Sequence, residues 1–416
     1  MLADPVTTAP PRPGSSKAAE PATPTGDTAM TWTRAVVYGL VGYVVSRLCV
    51  LAGAGVRASQ LVVDAAEEGE PRPASGLELI TGVFTSWDGL WYLEIVRQGY
   101  PRSIPENITY FQEEARAAFF PVYPFLVRGF DALAPAGDTF AALTLNLLFG
   151  AVAVVLVGVL ARRLVGEGPW GNEVAARSMI LFAVFPGSFV LSFAYSEATL
   201  IVLAAACLVL LLDERWVLAG LVGLLATATR PNGLALVAAC AVAAFIAIRS
   251  RRDWAALAAP AISPLGFVGF QLFLAQHTDE SAPWFRVQRE AWAEGTSFGA
   301  TAVNNTLSFI SAPLSSPTNA LTAASIVALA GAVWCAWRWR LPAPIVAYVA
   351  VIVVLMLMPE TVTARPRYVF TAFPLVIPVA ALWPRRDRIG WELVMVACGA
   401  GLVALTGLYA VFGAIP

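Results

Sequence analysis

A short segment in the first third of the chain carries the side chains best suited to acid–base chemistry. The sequence SWDGLWYLEIVRQGYP (residues 86–101) combines Asp88 with several Trp and Tyr residues. The pattern predicts a helix that starts near Ser86 and ends at Gly99, with Asp88 in its first turn, where a carboxylate can act as a general base. The spacing from Thr85 to Asp88 also matches a capping box, in which the carboxylate only satisfies backbone N–H groups; spacing alone favours the cap.

Two arginines in apolar surroundings each allow two interpretations. Arg47 lies inside the first apolar segment, where it either faces a polar cavity or bonds to a neighbouring helix. Arg128 follows the FFPVYP segment and either binds an anionic lipid headgroup or anchors the chain at the membrane interface. His277 has no second ligand nearby and the five cysteines have no CxxC spacing, so we expect neither a metal site nor a cofactor.

The composition is that of an integral membrane protein. Of the 416 residues, 58% are hydrophobic and only 13% are charged, whereas a soluble domain is about a quarter charged. The net charge of −1 provides no basic surface, so no nucleic-acid partner is expected. Residues 1–33 are rich in Pro, Ala, Ser and Thr and predict a disordered cytoplasmic tail, followed by a single transmembrane domain over 34–416.

Apolar segments fill most of this domain, and a span needs about 20 mostly apolar residues. We predict an all-α bundle of about eleven transmembrane helices, with juxtamembrane helices in the first outer loop and in a later one. The predicted spans are 35–56, 139–161, 175–194, 197–212, 216–229, 233–248, 254–276, 319–337, 342–358, 368–383 and 391–414.

The segment 117–134 decides the topology, because counting it as a span reverses the side of every later loop. If it does not cross, the arginine-rich short loops all share the side of Arg34, as the positive-inside rule requires. We therefore predict that 117–134 is re-entrant or lies on the membrane surface. The loops 57–138 and 277–318 then lie outside, and the active site of this multi-pass plasma-membrane protein is extracytoplasmic.

Four motifs in order resemble the PIG-V family of mannosyltransferases. They are WDGLWYLEIVRQGYP (87–101), AAFFPVYPFLVR (117–128), FAYSEA (193–198) and ATRPNG (228–233). The resemblance implies a GT-C type glycosyltransferase, a multi-span helical enzyme that uses a polyprenyl-phosphate sugar at the outer membrane face. The sequence has no Asp-x-Asp motif for a metal-bound nucleotide sugar and no Gly-rich phosphate loop, which agrees with such a donor.

The resemblance makes Asp88 the expected general base of an inverting mannosyl transfer to a lipid or lipoglycan acceptor. Fixed guanidinium groups would then stabilise the leaving phosphate. The expected donors are Arg365 and Arg367, in the segment TARPRY (363–368), and next Arg230. For the arginine pair, snorkelling at a helix end is the alternative.

Other side chains in the outer turns are expected to contact the substrates. Glu197 orients a sugar hydroxyl or assists Asp88, or it only stabilises the first turn of a helix capped by Ser196. Asn232 binds a sugar hydroxyl, or it belongs to a simple Pro-Asn-Gly turn, which the sequence alone favours. The remaining expected substrate contacts are Trp87, Tyr92, Tyr195 and Tyr368.

A second aromatic segment, PWFRVQREAW (283–292), predicts an interfacial helix. Its arginines, Arg286 and Arg289, either contact the phosphate of the lipid donor or have no catalytic duty, which is the favoured interpretation. The side chains predicted to share one face are Phe285, Gln288, Arg289 and Trp292.

Two other functions remain open: the same fold with another donor sugar, such as glucose or arabinose, and a transporter or flippase for lipid-linked sugars. A transporter typically has repeated halves with broken or charged helices near the membrane midplane. The sequence has no internal repeat, and its unusual polar residues cluster at one predicted face, which favours an enzyme. The expected partners are polyprenyl-phosphate mannose, a lipid-anchored glycan acceptor and membrane lipids.

Overall fold

The computed structural model describes residues 29–69, 75–313, 315–361, 363–409 and 411, and almost all of these are helical. Over these ranges the only β pairing is an isolated bridge between Thr296 and Pro359. Most of the predicted tail, residues 1–28, lies outside the described residues. The helices are α1 (Trp32–Glu67), α2 (Gly76–Phe84), α3 (Asp88–Gln98), α4 (Val122–Leu133), α5 (Asp138–Val165), α6 (Pro169–Val184), α7 (Glu197–Leu212), α8 (Trp216–Thr227), α9 (Leu234–Arg251), α10 (Ala258–Ile262), α11 (Leu265–Thr278), α12 (Pro283–Glu290), α13 (Ala300–Ser311), α14 (Pro317–Trp339), α15 (Ala343–Leu357), α16 (Pro366–Thr371), α17 (Val376–Leu382) and α18 (Arg388–Tyr409).

The helices define a multi-pass membrane protein, as predicted. Among the described residues, 6 helical segments are long and apolar enough to cross a membrane. A seventh forms if α6 is joined to the 3₁₀ helix Pro186–Ser192, from which it is bent by 75°. Four further apolar helices are shorter, at 10–17 residues. Each predicted span has a helical counterpart, but several are short or broken, so the count of about eleven stays a prediction.

The first helix is longer than predicted. We expected a span over 35–56, whereas α1 has 36 residues and continues to Glu67. Residues 57–67 contain no proline and no glycine, so no residue breaks the helix there. At about 1.5 Å per residue the helix is far longer than the roughly 30 Å hydrocarbon core, so its polar last turns extend beyond an apolar layer.

Four helices, α1, α5, α6 and α18, form one packed group, in which α1 and α6 contact each other and both of the remaining helices. Close approach is possible where small residues face large ones: a Cβ on Gly150 of α5 would lie 2.2 Å from the Tyr43 hydroxyl of α1. The contacts of Arg47 in α1 favour the second of its two interpretations, a bond to a neighbouring helix. Its guanidinium donates to the Ser188 carbonyl and to the hydroxyls of Ser188 and Ser192, each at 2.9 Å, so it ties α1 to the neighbouring 3₁₀ helix.

The segment 117–134 forms no long span. Its helix α4 has only 12 residues, whereas a helix needs about 20 residues to cross a bilayer. The helix packs on α3 and α5. This agrees with the predicted re-entrant or surface position. Arg128 donates to the carbonyls of Ile95 and Val96 in the last turn of α3, and its lipid-binding and anchoring roles stay predictions. It therefore satisfies carbonyls that the helix end leaves free.

A group of hydrogen bonds joins the second predicted outer loop to the turn after α15. Ser297 donates its backbone N–H to the Met358 carbonyl at 2.8 Å, and Glu360 donates its N–H to the Gly295 carbonyl at 3.1 Å. The Glu294 carboxylate accepts from the Thr361 hydroxyl at 2.8 Å and from two backbone N–H groups. These contacts hold the residues after α12 against one end of the bundle.

Candidate active site

Asp88 is the first residue of α3 and does not act as a cap. Thr85 closes the preceding helix by donating to the Thr81 carbonyl, and the N-cap of α3 is Trp87, without a side-chain capping bond. The capping-box interpretation is therefore wrong. Trp87 has φ +56°, an uncommon value for a bulky residue, and its indole N–H donates to the Tyr409 carbonyl at 2.7 Å. The last helix thus holds the sharp turn that directs the Asp88 carboxylate into the interior.

Arg367, at the start of α16, lies directly against Asp88. Its Nη1 donates to Asp88 Oδ2 at 3.2 Å and to the Tyr409 hydroxyl at 2.5 Å, and its Nη2 donates to the Tyr368 hydroxyl at 2.7 Å. Burial acts to lower the pKa of Arg367, but Asp88 together with Tyr368, Tyr409 and Glu197 outweighs it, and the pKa is raised. Arg367 therefore remains a cation, fixed at three points and aimed at the carboxylate.

Arg230 forms a second buried ion pair beside the first. Its Nη1 lies 2.8 Å from Glu197 Oε2 and 3.9 Å from Asp88 Oδ2, and it donates to the Ser196 hydroxyl at 3.3 Å. Burial acts to lower the pKa of Arg230, but Glu197 and the neighbouring groups raise it. Ser196 also shares a hydrogen bond with the Tyr92 hydroxyl at 2.6 Å, which links α7 to α3. The predicted capping bond of Ser196 is not formed.

Arg365 is separated from this group although it is only two residues from Arg367. It is 2% exposed, and its Nη1 donates to the Thr318 carbonyl at the start of α14. Its Nε has no hydrogen-bond partner among the described residues, and no described carboxylate forms an ion pair with it. Of the three predicted phosphate ligands, Arg230 and Arg367 meet at Asp88 and Arg365 does not.

A cavity of about 540 Å³ opens beside these charges, a size typical of small-molecule sites. The cavity is lined by Asp88, Arg230 and Arg367. Four of the predicted substrate contacts also line it: Trp87, Tyr92, Asn232 and Tyr368. Tyr195, Glu197 and Arg365 are buried behind its wall. The remaining lining residues are Tyr110, Ala118, Phe119, Phe120, Pro231, Trp284, Gln288, Ala291, Trp292, Glu294, Leu355, Met356, Pro359 and Thr361.

The residues behind the wall hold the charged groups in place. The Tyr195 hydroxyl donates to the Ser86 carbonyl at 2.9 Å, and its ring lies beneath the Arg367 guanidinium, 6.0 Å from the ring centre. Glu197 neutralises Arg230. Both residues contact the charged groups of the cavity without lining it themselves, and their expected contacts with substrate stay a prediction.

The second aromatic segment presents a different face from the predicted one. Its cavity-lining residues are Trp284, Gln288 and Trp292, which follow the spacing i, i+4, i+8. Phe285 and Arg289 are exposed, and Arg286 forms ion pairs with Glu280 at 2.6 Å and Glu290 at 3.1 Å. Neither arginine lines the cavity, which agrees with the favoured interpretation that they have no catalytic duty.

Several lining residues were missed by sequence reasoning. Tyr110 precedes the FFPVYP segment in an irregular stretch, and Leu355 and Met356 end an apolar helix, so nothing in their local pattern sets them apart. For Phe119 the signal was present, because the motif that carries the family resemblance contains it.

The helical bundle and its aromatic-lined cavity define a polytopic membrane protein with charged side chains in a partly open cavity. The chain belongs to glycosyltransferase family 87, whose model matches residues 117–362. It is therefore a transferase of the glycosyltransferase class. Asp88 and Arg367 lie on either side of the matched region, and the likeness to the PIG-V mannosyltransferases rests on the four motifs alone.

No curated protein matches the sequence. Among solved structures the chain is similar to an oligosaccharyltransferase from Archaeoglobus fulgidus. With the complex with Zn and sulfate the TM-score is 0.46 at 16% identity, covering 88% of this chain and 53% of that one. With the apo form the TM-score is 0.42 at 15% identity, covering 87% and 55%. The chain thus spans about half the length of that protein.

The Glu197–Arg230 pair yields a prediction about stability. We expect Glu197→Gln to destabilise the fold by about 3 kcal/mol, because it leaves the buried Arg230 charge with only the more distant Asp88 carboxylate. Thermal unfolding of the purified protein in nanodiscs measures this. As a control, Glu173→Gln removes more exposed pairs with Arg177 and Arg385 and should change the midpoint little. Equal midpoints for the two variants would contradict the structural role of Glu197.

Proposed function

We propose that this chain is an inverting mannosyltransferase. It transfers mannose from polyprenyl-phosphate mannose to a lipid or lipoglycan acceptor, with Asp88 as the general base, in a single GT-C type transmembrane domain over residues 34–416 that follows a cytoplasmic tail. The observation that carries the proposal is the meeting of one carboxylate with two arginines in one cavity. Asp88 Oδ2 lies 3.2 Å from Arg367 and 3.9 Å from Arg230.

The arrangement supplies each group that the reaction needs. Asp88 accepts the proton of the acceptor hydroxyl as the oxygen attacks the anomeric carbon. The polyprenyl phosphate leaves from the opposite side of the sugar ring, taking the bonding electron pair, and the sugar is inverted. Arg367 and Arg230 donate hydrogen bonds to the phosphate oxygens as their negative charge grows. Other side chains already hold both guanidinium groups in position, so the reaction needs little reorganisation of the site.

The arginines beside Asp88 support an anionic group in the donor. Arg230 and Arg367 line the cavity, where both can donate hydrogen bonds to phosphate oxygens. The Glu294 carboxylate also lines the cavity. Arg365 contributes through its field rather than by contact, since it is buried and does not line the cavity.

The arginine distribution supports an extracytoplasmic site in the plasma membrane. The cavity lies near the start of α9 and the ends of α15 and α18. The arginine-rich segments lie at the opposite ends of their helices: at the end of α5 (Arg162, Arg163), at the end of α9 (Arg249–Arg252), at the end of α14 (Arg338, Arg340) and at the start of α18 (Arg385–Arg388). Positive charge concentrates on the cytoplasmic side of membrane proteins, so the cavity faces away from the cytoplasm.

Purified protein in vesicles, supplied with polyprenyl-phosphate mannose and extracted envelope lipids, tests the proposal. We expect a mannosylated lipid in the mass spectrum and released polyprenyl phosphate. Polyprenyl-phosphate glucose and arabinose belong in the same panel, because either sugar replacing mannose would correct the donor. Transfer from nucleotide sugars alone would overturn the proposal. The flippase alternative has lost its support, since the chain belongs to a transferase family.

A further inference from the structure

A cluster of arginines and tryptophans lies at the end of α18 that is far from the cavity. The cavity is close to the last turn of α18, where the Tyr409 hydroxyl accepts from Arg367, whereas the cluster surrounds the first turn. The cluster consists of the segment 383–391 together with Trp170, Glu173 and Arg177 of α6, and we name it the basic–aromatic cluster. It is therefore separate from the residues proposed for sugar transfer.

Aromatic rings and guanidinium groups hold the basic–aromatic cluster together. The Arg385 Cζ lies 3.9 Å from the centre of the Trp170 ring, and the Arg177 Cζ lies 5.8 Å from the centre of the Trp391 ring. The rings of Trp383 and Trp391 are in edge contact, with their centres 5.5 Å apart. Cation–π contacts of this kind position a guanidinium group without neutralising its charge.

One carboxylate serves both of these arginines. Glu173 Oε1 lies 2.8 Å from Arg177, and Glu173 Oε2 lies 3.5 Å from Arg385. Arg177 also donates to the Trp383 carbonyl at 3.3 Å. A single negative charge thus faces two positive charges, so this group of three side chains remains positive.

Two further arginines beside this group have no partner. Arg386 and Arg388 are exposed, and neither forms a hydrogen bond or an ion pair with any described residue. The Asp387 carboxylate between them accepts from the Gly390 N–H at 2.8 Å, so it caps the start of α18. Even with the exposed Glu392 included, four arginines of the cluster face three carboxylates, and one positive charge is in excess.

An exposed apolar stripe continues from the basic–aromatic cluster along α18. The stripe consists of Ile389, Leu393 and Val396, which follow the spacing i, i+4, i+7 and are exposed over most of their surface. At about 1.5 Å per residue, the stripe extends about 10 Å along the helix from its first residue. Because α18 is long and apolar enough to cross a membrane, the stripe enters the hydrocarbon layer. The tryptophans of the cluster are typical of the headgroup level.

This combination suits an anionic phospholipid. Guanidinium groups bind phosphate oxygens through charge-assisted hydrogen bonds, and basic pockets beside transmembrane helices bind anionic headgroups. The arginines of the cluster lie at the depth of the headgroup, and the apolar stripe lies at the depth of its acyl chains. A free phosphate would use the arginines and leave the stripe without a role. A zwitterionic headgroup brings a positive charge, which the unpaired arginines repel.

We propose that the basic–aromatic cluster binds the headgroup of an anionic phospholipid. Arg386 and Arg388 bind its phosphate, and one acyl chain packs on the apolar stripe of α18. The lipid belongs to the leaflet that the arginine distribution predicts to be cytoplasmic, so it is neither the donor nor the acceptor of the proposed transfer.

Native mass spectrometry of the full protein in detergent tests the site, with phosphatidylglycerol and phosphatidylcholine of the same acyl chains titrated in turn. We expect the wild type to bind phosphatidylglycerol about tenfold more tightly than phosphatidylcholine, and Arg386→Gln/Arg388→Gln should lose most of this preference. The matched control, Arg249→Gln/Arg252→Gln, removes two exposed arginines from the same end of the bundle but outside the cluster, and it should keep the preference.

Two other variants separate the site from misfolding and from free phosphate. Glu173→Gln frees Arg177 and Arg385 from their carboxylate, so phosphatidylglycerol should bind about threefold more tightly, a gain that partial unfolding does not produce. Leu393→Ser removes apolar contact from the stripe. It should weaken phosphatidylglycerol about threefold and leave the binding of inorganic phosphate unchanged.

Three results would overturn the proposal. One is equal affinity of the wild type for the two lipids. Another is an equal loss of preference in the two double variants, because the preference would then come from the general positive charge at this end of the bundle. The third is binding of inorganic phosphate as tight as that of phosphatidylglycerol, with no effect of Leu393→Ser on either, which would assign the arginines to a free anion. No sugar donor enters the titration, so none of these results affects the proposed transferase function.

Discussion

Asp88→Asn is expected to reduce mannosyl transfer by about 10²–10⁴-fold, because an amide cannot take the proton of the acceptor hydroxyl. The size and shape of the side chain are retained, and its oxygen can still accept from Arg367, so the fold should survive. Donor binding should persist or tighten, since removing a negative charge leaves the arginines freer for phosphate. Initial transfer rates at saturating donor, with donor binding measured separately, check both effects.

The control for Asp88→Asn is Asp64→Asn, an exposed carboxylate on α1 that pairs with Arg57 and does not line the cavity. Its transfer rate should match that of the wild type. Unchanged turnover in Asp88→Asn would eliminate the proposed base. Loss of donor binding together with turnover would instead identify Asp88 as a structural partner of the arginines.

The charged part of the site could be predicted from the sequence because charge is rare in this chain. With only 13% charged residues, an aspartate or arginine beside apolar segments is conspicuous and energetically costly unless it has a function. Asp88, Arg230 and Arg367 were singled out in this way, although spacing alone favoured a capping role for Asp88 and only the resemblance to the PIG-V family made it the expected base. Their mutual contact was beyond local patterns, because Asp88 and Arg367 are 279 residues apart in sequence.

The finer geometry depended on packing that the sequence does not display. Arg365 and Arg367 share one short segment, but the helix start at Pro366 sends them to different neighbours, Thr318 and Asp88. For α12 the sequence predicted the helix, but the prediction of which side chains share its inward face was wrong. Packing on Ala118 and Phe120 turns Trp284 inward, which leaves Phe285 outside.

Arg367→Gln is expected to lower transfer by about 10²–10³-fold, the usual effect of removing one preorganised donor to a developing oxyanion. Gln keeps a hydrogen-bond donor for Asp88 or for Tyr409 but supplies no positive charge to the phosphate. Arg367 belongs to the leaving-group side, so the loss should appear mainly in kcat, with a smaller rise in the donor KM and no change in the acceptor KM. Steady-state kinetics with each substrate varied in turn separates these parameters.

Arg365→Gln is the matched control, because it removes the same charge two residues away from a guanidinium that does not line the cavity. Its effect on kcat should be at least tenfold smaller than that of Arg367→Gln, since it acts only through its field. Combining Asp88→Asn with Arg367→Gln should cost less than the product of the two single effects, because the two side chains are in direct contact. An equal kcat loss in Arg365→Gln and Arg367→Gln would show that the site needs only net positive charge, and it would refute a direct bond from Arg367 to the leaving phosphate.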